Sequence, residues 1–241
     1  DLTDIIKVQK LKSDFVANVS HELRTPLQSI KLGLETINNG HAAGDAESQK
    51  KILPLVLQQT TRMENIVNDL LSLSRIELQE HIRPNDKIDI NEIISHSVDL
   101  HQEILKKNNI ICKIDKQTKD PIIYGDRNRL IEVFNNLIDN AIKYSEKNKK
   151  ITITTISDDK NLTAIVKDEG IGISRKNIPQ ITERFFRANP AKSKEVGGTG
   201  LGLAIVKHIV NQHRAEMNIS SEENKGTTIS INFPKSWLIQ P

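Results

Sequence analysis

Apolar side chains return every three or four residues along two stretches near the start of the chain. Ile52, Val56, Met63, Ile66, Leu70 and Leu73, with Gln59 completing the series, alternate steps of four and three, the a/d repeat of a coiled-coil-like bundle. Val16, Leu23, Leu27, Ile30, Leu34 and Ile37, joined by Ser20, keep the same spacing. Between them, Asn38-Asn39-Gly40-His41-Ala42-Ala43-Gly44-Asp45 supplies glycines to stop one helix and an aspartate to cap the next. The pattern predicts a helical hairpin. Pro54 lies beyond the first turn of a helix that starts near Asp45, so a kink or a later start is expected. Two amphipathic helices enclose little core, and the hairpin is expected to pair with a second copy as a four-helix bundle, a homodimer.

On this frame Val16, Leu23, Ile30 and Ile37 take d, and Ser20, Leu27 and Leu34 take a, which puts His21 at b, Glu22 at c and Thr25 at f. All three are expected to point away from the seam, with His21 and Thr25 one turn apart and Pro26 loosening the helix there. An imidazole beside a carboxylate suits nucleophilic work: the carboxylate holds or takes a ring proton while the other nitrogen attacks. By position alone a solvated surface histidine is the commoner meaning of His21. The other histidines, His41, His81, His96, His101, His208 and His213, do not space like a zinc site.

The period changes after Glu80, where Arg83-Pro84-Asn85-Asp86 interrupts the heptads. Beyond it, runs such as Ile110–Ile114, Ile151–Thr154, Leu162–Val166 and Thr228–Ile231 alternate as strands do, and helical segments separate several of them. Strands adjoin strands near 151–166 and 216–233, which predicts a mixed, partly antiparallel sheet with helices on one face, an α/β sandwich.

Length and composition narrow the function classes. The 241 residues suit one or two domains, and with 37% hydrophobic but only 3% aromatic residues the core must be built from Ile, Leu and Val. A balance of 34 basic against 31 acidic side chains, net +3, gives no nucleic-acid footprint. Cys112 is the single cysteine, which rules out an internal disulfide framework and fits a reducing compartment. No stretch approaches the roughly 18 apolar residues of a membrane span, so no membrane contact is expected of this segment. The opening Asp1-Leu2-Thr3-Asp4 reads as a helix cap, and a longer protein with an input module is expected.

Three polar clusters carry candidate chemistry. Asn136, Asn140 and Lys143 share one face of a predicted helix, two amide oxygens and an ammonium that suit hydrated Mg²⁺ and phosphates, though solvated surface is the commoner meaning of such spacing. Asp168-Glu169-Gly170-Ile171-Gly172 follows a strand; glycines let backbone pass close to a ligand and Asp168 can accept from an amino group, but such a sequence at a strand end is more often an ordinary turn. Gly197-Gly198-Thr199-Gly200-Leu201-Gly202-Leu203 runs into an apolar helix, where free N–H groups and the helix dipole favour phosphate. It is neither a P-loop nor a dinucleotide fingerprint.

Ser20-His21-Glu22-Leu23-Arg24-Thr25-Pro26-Leu27 resembles the phosphoacceptor box of sensor histidine kinases in two-component signalling. The three clusters in order, with Glu183-Arg184-Phe185-Phe186-Arg187 between the last two, resemble the N, G1, F and G2 boxes of their ATP-binding domain, a Bergerat fold. The resemblance implies residues 1–80 as a dimerisation and phosphotransfer hairpin, 81–90 as a linker and first strand, and 87–241 as the catalytic domain. It implies His21 as the phosphorylated residue, Glu22 as its base and Thr25 as an aid to hydrolysis of the phosphorylated partner. It further implies Asn136 and Asn140 on Mg²⁺, Lys143 on the phosphates, Tyr144 on the adenine face and Asp168 on the adenine amino group. Gly170, Gly172, Gly198, Thr199, Gly200, Leu201 and Gly202 would complete the ATP site, with Arg187 at the γ-phosphate, a lid over roughly 175–196, and Thr227 behind Asp168. ATP and Mg²⁺ are the implied cofactors, and the receiver domain of a response regulator the implied partner. The implied location is cytoplasmic, within a protein anchored in the bacterial membrane.

Glu169, where Asn or Thr is commoner, and Thr182, where Phe is usual, depart from the family pattern. They motivate an alternative, a nucleotide-binding scaffold or phosphatase without autokinase activity. A Bergerat ATPase of the chaperone or serine-kinase kind would not need the box at His21.

Overall fold

The computed structural model describes residues 2–42, 46–79 and 81–235. Helices α1 (Leu2–Ala42) and α2 (Ala46–Gln79) form the expected hairpin; the capping expected of Asp45 lies outside the described residues. Helix α2 runs through Pro54 without the later start that the proline predicts. One lost hydrogen bond is offset by packing on either side: Val56 is buried, and Gly33 of α1 comes so close that a Cβ there would sit 2.4 Å from the Val56 side chain.

The seam differs from the heptad reading on α1. The α2 positions Val56, Ile66 and Leu73 are buried as expected, but Val16, Leu27 and Leu34 of α1 are more than half exposed. Phe15, Val19, Glu22, Pro26 and Gly33, with Leu23, Ile30 and Ile37, are half-buried or buried instead. Glu22 therefore faces inward, correcting the expectation that it points to solvent. A single neighbouring helix selects one stripe of α1, and a second apolar stripe is left over. Helix α2 also carries such a stripe, Leu53, Leu57, Val67, Leu71 and Leu78, all exposed.

Beyond the hairpin the chain builds β1 (Asp86–Asp89), α3 (Ile90–Leu100), α4 (Gln102–Lys107), β2 (Ile111–Lys116), β3 (Ile122–Gly125) and α5 (Arg127–Lys143). Then come β4 (Lys150–Ser157), β5 (Asn161–Asp168), α6 (Pro190–Glu195), α7 (Gly202–Gln212), β6 (Glu216–Glu222) and β7 (Gly226–Pro234). Five strands order as β2-β4-β5-β7-β6; β2 runs parallel to β4 and the other pairs are antiparallel. This is the mixed sheet the sequence predicts. Strand β3, which the alternation does not reveal, pairs antiparallel with β1 in a separate two-stranded ribbon.

Local chemistry starts the helices. Asp89 caps α3 by accepting from Asn91 N and Glu92 N at 2.8 and 3.3 Å, and Asp126 caps α5 through Asn128 N and Arg129 N at 2.8 and 3.1 Å. The apolar faces of α3, α5 and α7 pack with alternate residues of β4 and β5, including Phe134, Ile138, Ile151, Ile153 and Ile205, which are inaccessible to solvent. Leu73 and Ile76 of α2 join this same core, so the hairpin is docked against the sandwich along α7. Among the described residues no helix is long and apolar enough to cross a membrane.

Candidate functional site

A cavity of about 420 Å³ opens between α5, the end of β5, the glycine-rich segment before α7, and helix α2, a size that takes a small-molecule ligand. Asn136, Asn140, Lys143, Tyr144, Asp168, Gly172, Arg187, Gly198, Thr199, Gly200, Gly202 and Thr227 all line it. Residues as far apart as Asn136 and Thr227 are thus gathered around one space. Gly170 and Leu201 stand behind the wall. Gly170 donates to Asp168 Oδ1 at 2.8 Å and packs so closely under Tyr144 O that a Cβ would lie 2.4 Å from it; Leu201 is fully buried.

The periodicity of α5 sets one wall. Leu130, Val133, Phe134, Leu137 and Ile138 face the core, which turns Asn136, Asn140 and Lys143 to the cavity. Asn136 donates its amide to Glu132 O at 2.9 Å, leaving Oδ1 as an acceptor. Gly202 faces that oxygen, and a Cβ there would intrude to 2.6 Å. Lys143 pairs with Asp139 at 2.7 Å. Among the described residues no three His, Cys, Asp or Glu side chains converge as a metal cluster. Amide oxygens without a carboxylate cage fit a Mg²⁺ that keeps its waters and binds mainly through phosphate.

Asp168 sits at the end of β5, where Gly170 N and Thr227 N both donate to Oδ1, at 2.8 and 3.1 Å. Oδ2 remains for a ligand. Burial raises its pKa above the ordinary aspartate value, against the pull of those two N–H donors. Thr227 supports Asp168 through its backbone, since its hydroxyl pairs with Ser221 at 2.9 Å. Gly226 permits this approach: at φ 104°, a Cβ would lie 2.1 Å from Asp168 O. Glu169 faces outward and accepts from Lys150 N at 3.2 Å, so the departure at that position does not enter the cavity. Tyr144 hydrogen-bonds Ser193 of α6 at 2.9 Å.

Gly198 N donates to Ser193 O at 2.8 Å, and Gly200 adopts φ 78° with its carbonyl accepting from Phe185 N at 2.8 Å. A Cβ on Gly200 would meet the Phe185 backbone at 2.9 Å. These turns deliver the chain to the N-terminus of α7 at the cavity. Thr199 donates to Asp69 of α2 at 2.7 Å and accepts from Leu201 N at 3.2 Å.

The hairpin supplies side chains the sequence patterns did not flag. Asn65, Asn68 and Asp69 of α2 line the cavity. Burial raises the pKa of Asp69, partly countered by the Thr199 hydroxyl and reinforced by nearby Glu132. Phe15 stacks near Phe185, ring centres 6.0 Å apart, with Arg184 over the Phe15 ring at 5.1 Å and paired to Glu77. Gln212 donates to Gln79 O and Ile82 O at 3.2 and 3.3 Å. A heptad pattern marks seams but cannot say which polar residues a second domain will meet.

His21 is 76% exposed on α1, with Nδ1 at 4.0 Å from Glu22 Oε1. Glu22 Oε2 accepts from Arg187 at 2.6 Å and Arg62 at 3.4 Å. Arg187, expected at a phosphate, thus reaches both the cavity wall and the carboxylate beside His21, and also donates to Thr199 O at 3.2 Å. Thr25 donates to His21 O at 3.2 Å, one turn away and exposed. Buried His213 is structural: Nδ1 bonds Ile209 O at 2.7 Å and Nε2 accepts from Asp126 N at 3.0 Å.

Comparison with known proteins places both halves. Residues 11–79 match the His Kinase A (phospho-acceptor) domain, and residues 125–236 the Histidine kinase-, DNA gyrase B-, and HSP90-like ATPase. The phosphate regulon sensor protein PhoR of Pseudomonas aeruginosa is 36% identical over the whole chain, which spans 54% of that relative. The sensor protein kinase WalK of Staphylococcus aureus is 36% identical over 97% of the chain and 56% of its own length. The chain thus spans about half the length of these two curated relatives. Among solved structures, the histidine kinase AdeS of Acinetobacter baumannii shares 25% identity at a TM-score of 0.70, covering 89% of this chain and 98% of its own. Histidine kinase ThkA in complex with response regulator protein TrrA shares the fold at a TM-score of 0.74 and 24% identity, over 95% of this chain and 64% of that one. The chain belongs to the sensor histidine kinases, with a phosphoacceptor hairpin followed by an ATPase domain.

Proposed function

We propose that this chain is an autokinase core that moves the γ-phosphoryl group of ATP to His21 and then to an aspartate on a response-regulator receiver domain. The observation that carries the reading is the bridge at Glu22, where Arg187 on the wall of the nucleotide cavity contacts the carboxylate beside His21. Asp168 Oδ2 would accept from the adenine amino group, Tyr144 would cover the ring, and the glycine segment with Lys143 would hold the phosphates. Asn136 and Asn140 would hold Mg²⁺, which when bound supplies charge neutralisation on the phosphates.

In the transfer, His21 Nε2 forms the bond to phosphorus as the bond to the leaving ADP oxygen breaks, and the Nδ1 proton passes to Glu22. Nδ1 is the nitrogen turned to Glu22, so Nε2 is the one left to attack. Arg187 would exchange Glu22 for the γ-phosphate as charge develops there. Tethering both domains in one chain gives high effective concentration. The contact of Arg187 with Glu22 must also open in the cycle, so that Arg187 can meet the γ-phosphate and a receiver domain can seat beside the exposed His21. Thr25 would assist water attack on the phosphorylated regulator.

The leftover stripes on α1 and α2 support a homodimer through a four-helix bundle, since a second copy buries Leu27, Leu34, Leu57 and Leu71. A cytoplasmic position beneath a membrane anchor, as proposed from the sequence, accords with a chain that covers only part of its relatives.

The test is label transfer from γ-labelled Mg-ATP into the purified chain. Acid-labile label in the wild type, lost in His21→Gln and Asn140→Asp, is expected. An unlabelled wild type that still binds ATP would overturn the autokinase reading in favour of a scaffold or phosphatase.

A further inference from the structure

Glu22 is shared between two guanidinium groups that belong to different parts of the molecule. Arg187 comes from the ATPase domain, while Arg62 stands on α2, in the same hairpin as His21. Both are nearly buried, with side chains 14% and 10% exposed. Each keeps a buried Nε without a hydrogen-bond partner among the described residues, so one carboxylate does not saturate the pair. The cluster carries one positive charge more than Glu22 neutralises.

That surplus has a mechanical meaning. A half-buried carboxylate left without a cation is costly, and Arg187 must release Glu22 whenever the ATPase domain turns to a phosphate or swings away. Arg62 does not leave with it. Its contact is to Oε2, the oxygen Arg187 also uses, while Oε1 is the one facing His21 Nδ1.

We propose that Arg62 is a positioning residue for phosphoryl transfer, anchoring Glu22 Oε2 so that Oε1 stays turned to His21 whether or not the ATPase domain is docked. The inference rests on the reading of His21 as phosphoacceptor and Glu22 as its base. Arg62 does not line the nucleotide cavity, so its effect falls on the chemical step and not on ATP binding.

Initial rates of phosphohistidine formation, measured against Mg-ATP concentration, separate these roles. Arg62→Met is expected to lower kcat by about ten- to a hundredfold, the scale of one charge-assisted hydrogen bond, with KM for ATP unchanged. Arg62→Lys should recover part of the loss. In a Glu22→Gln background Arg62→Met should add nothing, because both changes act through one carboxylate. An equal further loss in that background, or a wild-type rate in Arg62→Met, overturns the proposal. A second readout does not depend on activity: the imidazole nitrogen-15 shifts of His21 should move in Arg62→Met in the same direction as in Glu22→Gln. Unmoved shifts sink the positioning role even if label transfer succeeds, whereas moved shifts in a chain that takes no label leave Arg62 in place and remove the autokinase reading instead.

Discussion

The hairpin and the ATPase domain are built from similar aliphatic residues, yet only one of them completes its own core. In the sandwich Phe134, Ile138, Ile151, Ile205 and Phe233 are buried to 1% exposure or less. In the hairpin Val16, Leu27, Leu34 and Leu71 stay more than half exposed, and buried Leu73 and Ile76 owe their cover to the sandwich. A sheet with helices on one face closes by itself; two helices cannot. The difference leaves the hairpin with apolar surface for making contacts, with its own ATPase domain and, in the proposed function, with a second copy and a receiver domain, while the nucleotide cavity is walled mainly by the part that completes its own core.

The largest effect is expected from removing core from the sandwich. Phe134→Ala should cost about 3–5 kcal/mol, read by urea unfolding, and the loss should not change with protein concentration. A concentration-dependent loss would mean that the sandwich also depends on assembly. Next, Gly202→Val should press on Asn136 Oδ1 and weaken Mg-ATP binding by on the order of a hundredfold while leaving the unfolding midpoint nearly unchanged, as calorimetric titration would record. Unaltered affinity would remove Asn136 from the site.

On the hairpin, Leu27→Ala with Leu34→Ala should raise the dimer dissociation constant by about tenfold or more, since each truncation removes roughly 1–2 kcal/mol of apolar burial across the proposed contact. Sedimentation at several concentrations reads this directly, and an unaltered dimer would place the interface elsewhere. The smallest effect is one of pH. Burial holds His213 below its usual value of 6.5, so in the window beneath 6.5 the unfolded chain binds a proton that the folded domain does not, and stability falls as the pH falls. His213→Asn should flatten that slope between pH 7 and 5.5. Asp69 and Asp168, whose pKa values are raised by burial, act with the opposite sign nearer the carboxylate range, gaining stability as they protonate.

Much of this architecture was legible because periodicity is a local signal. The four-three steps from Ile52 to Leu73 foretold α2, and alternation at 151–154 and 162–166 foretold β4 and β5. Strand β3 escaped because four residues after a proline carry too little alternation, and its partner β1 is distant in sequence, the nearest pair being Asp89 and Ile122, 33 positions apart. The cavity residues on α5 and in the glycine segments could be named singly because helix spacing and glycine chemistry are visible in a line of text. Asn68, Asp69 and Arg62 could not, since each reads as an ordinary polar residue on an amphipathic helix until another element arrives beside it.

By itself, then, the sequence determined the elements, their apolar faces, the histidine box and the glycine turns, all of which follow from interactions within a few residues. Tertiary structure alone decided which stripe of α1 meets α2, that Glu22 turns inward between Arg62 and Arg187, and that Asp69 closes on Thr199. Those outcomes depend on which charged and apolar surfaces can be buried together at long range, and burial of a charge is allowed only where the folded chain brings its partner.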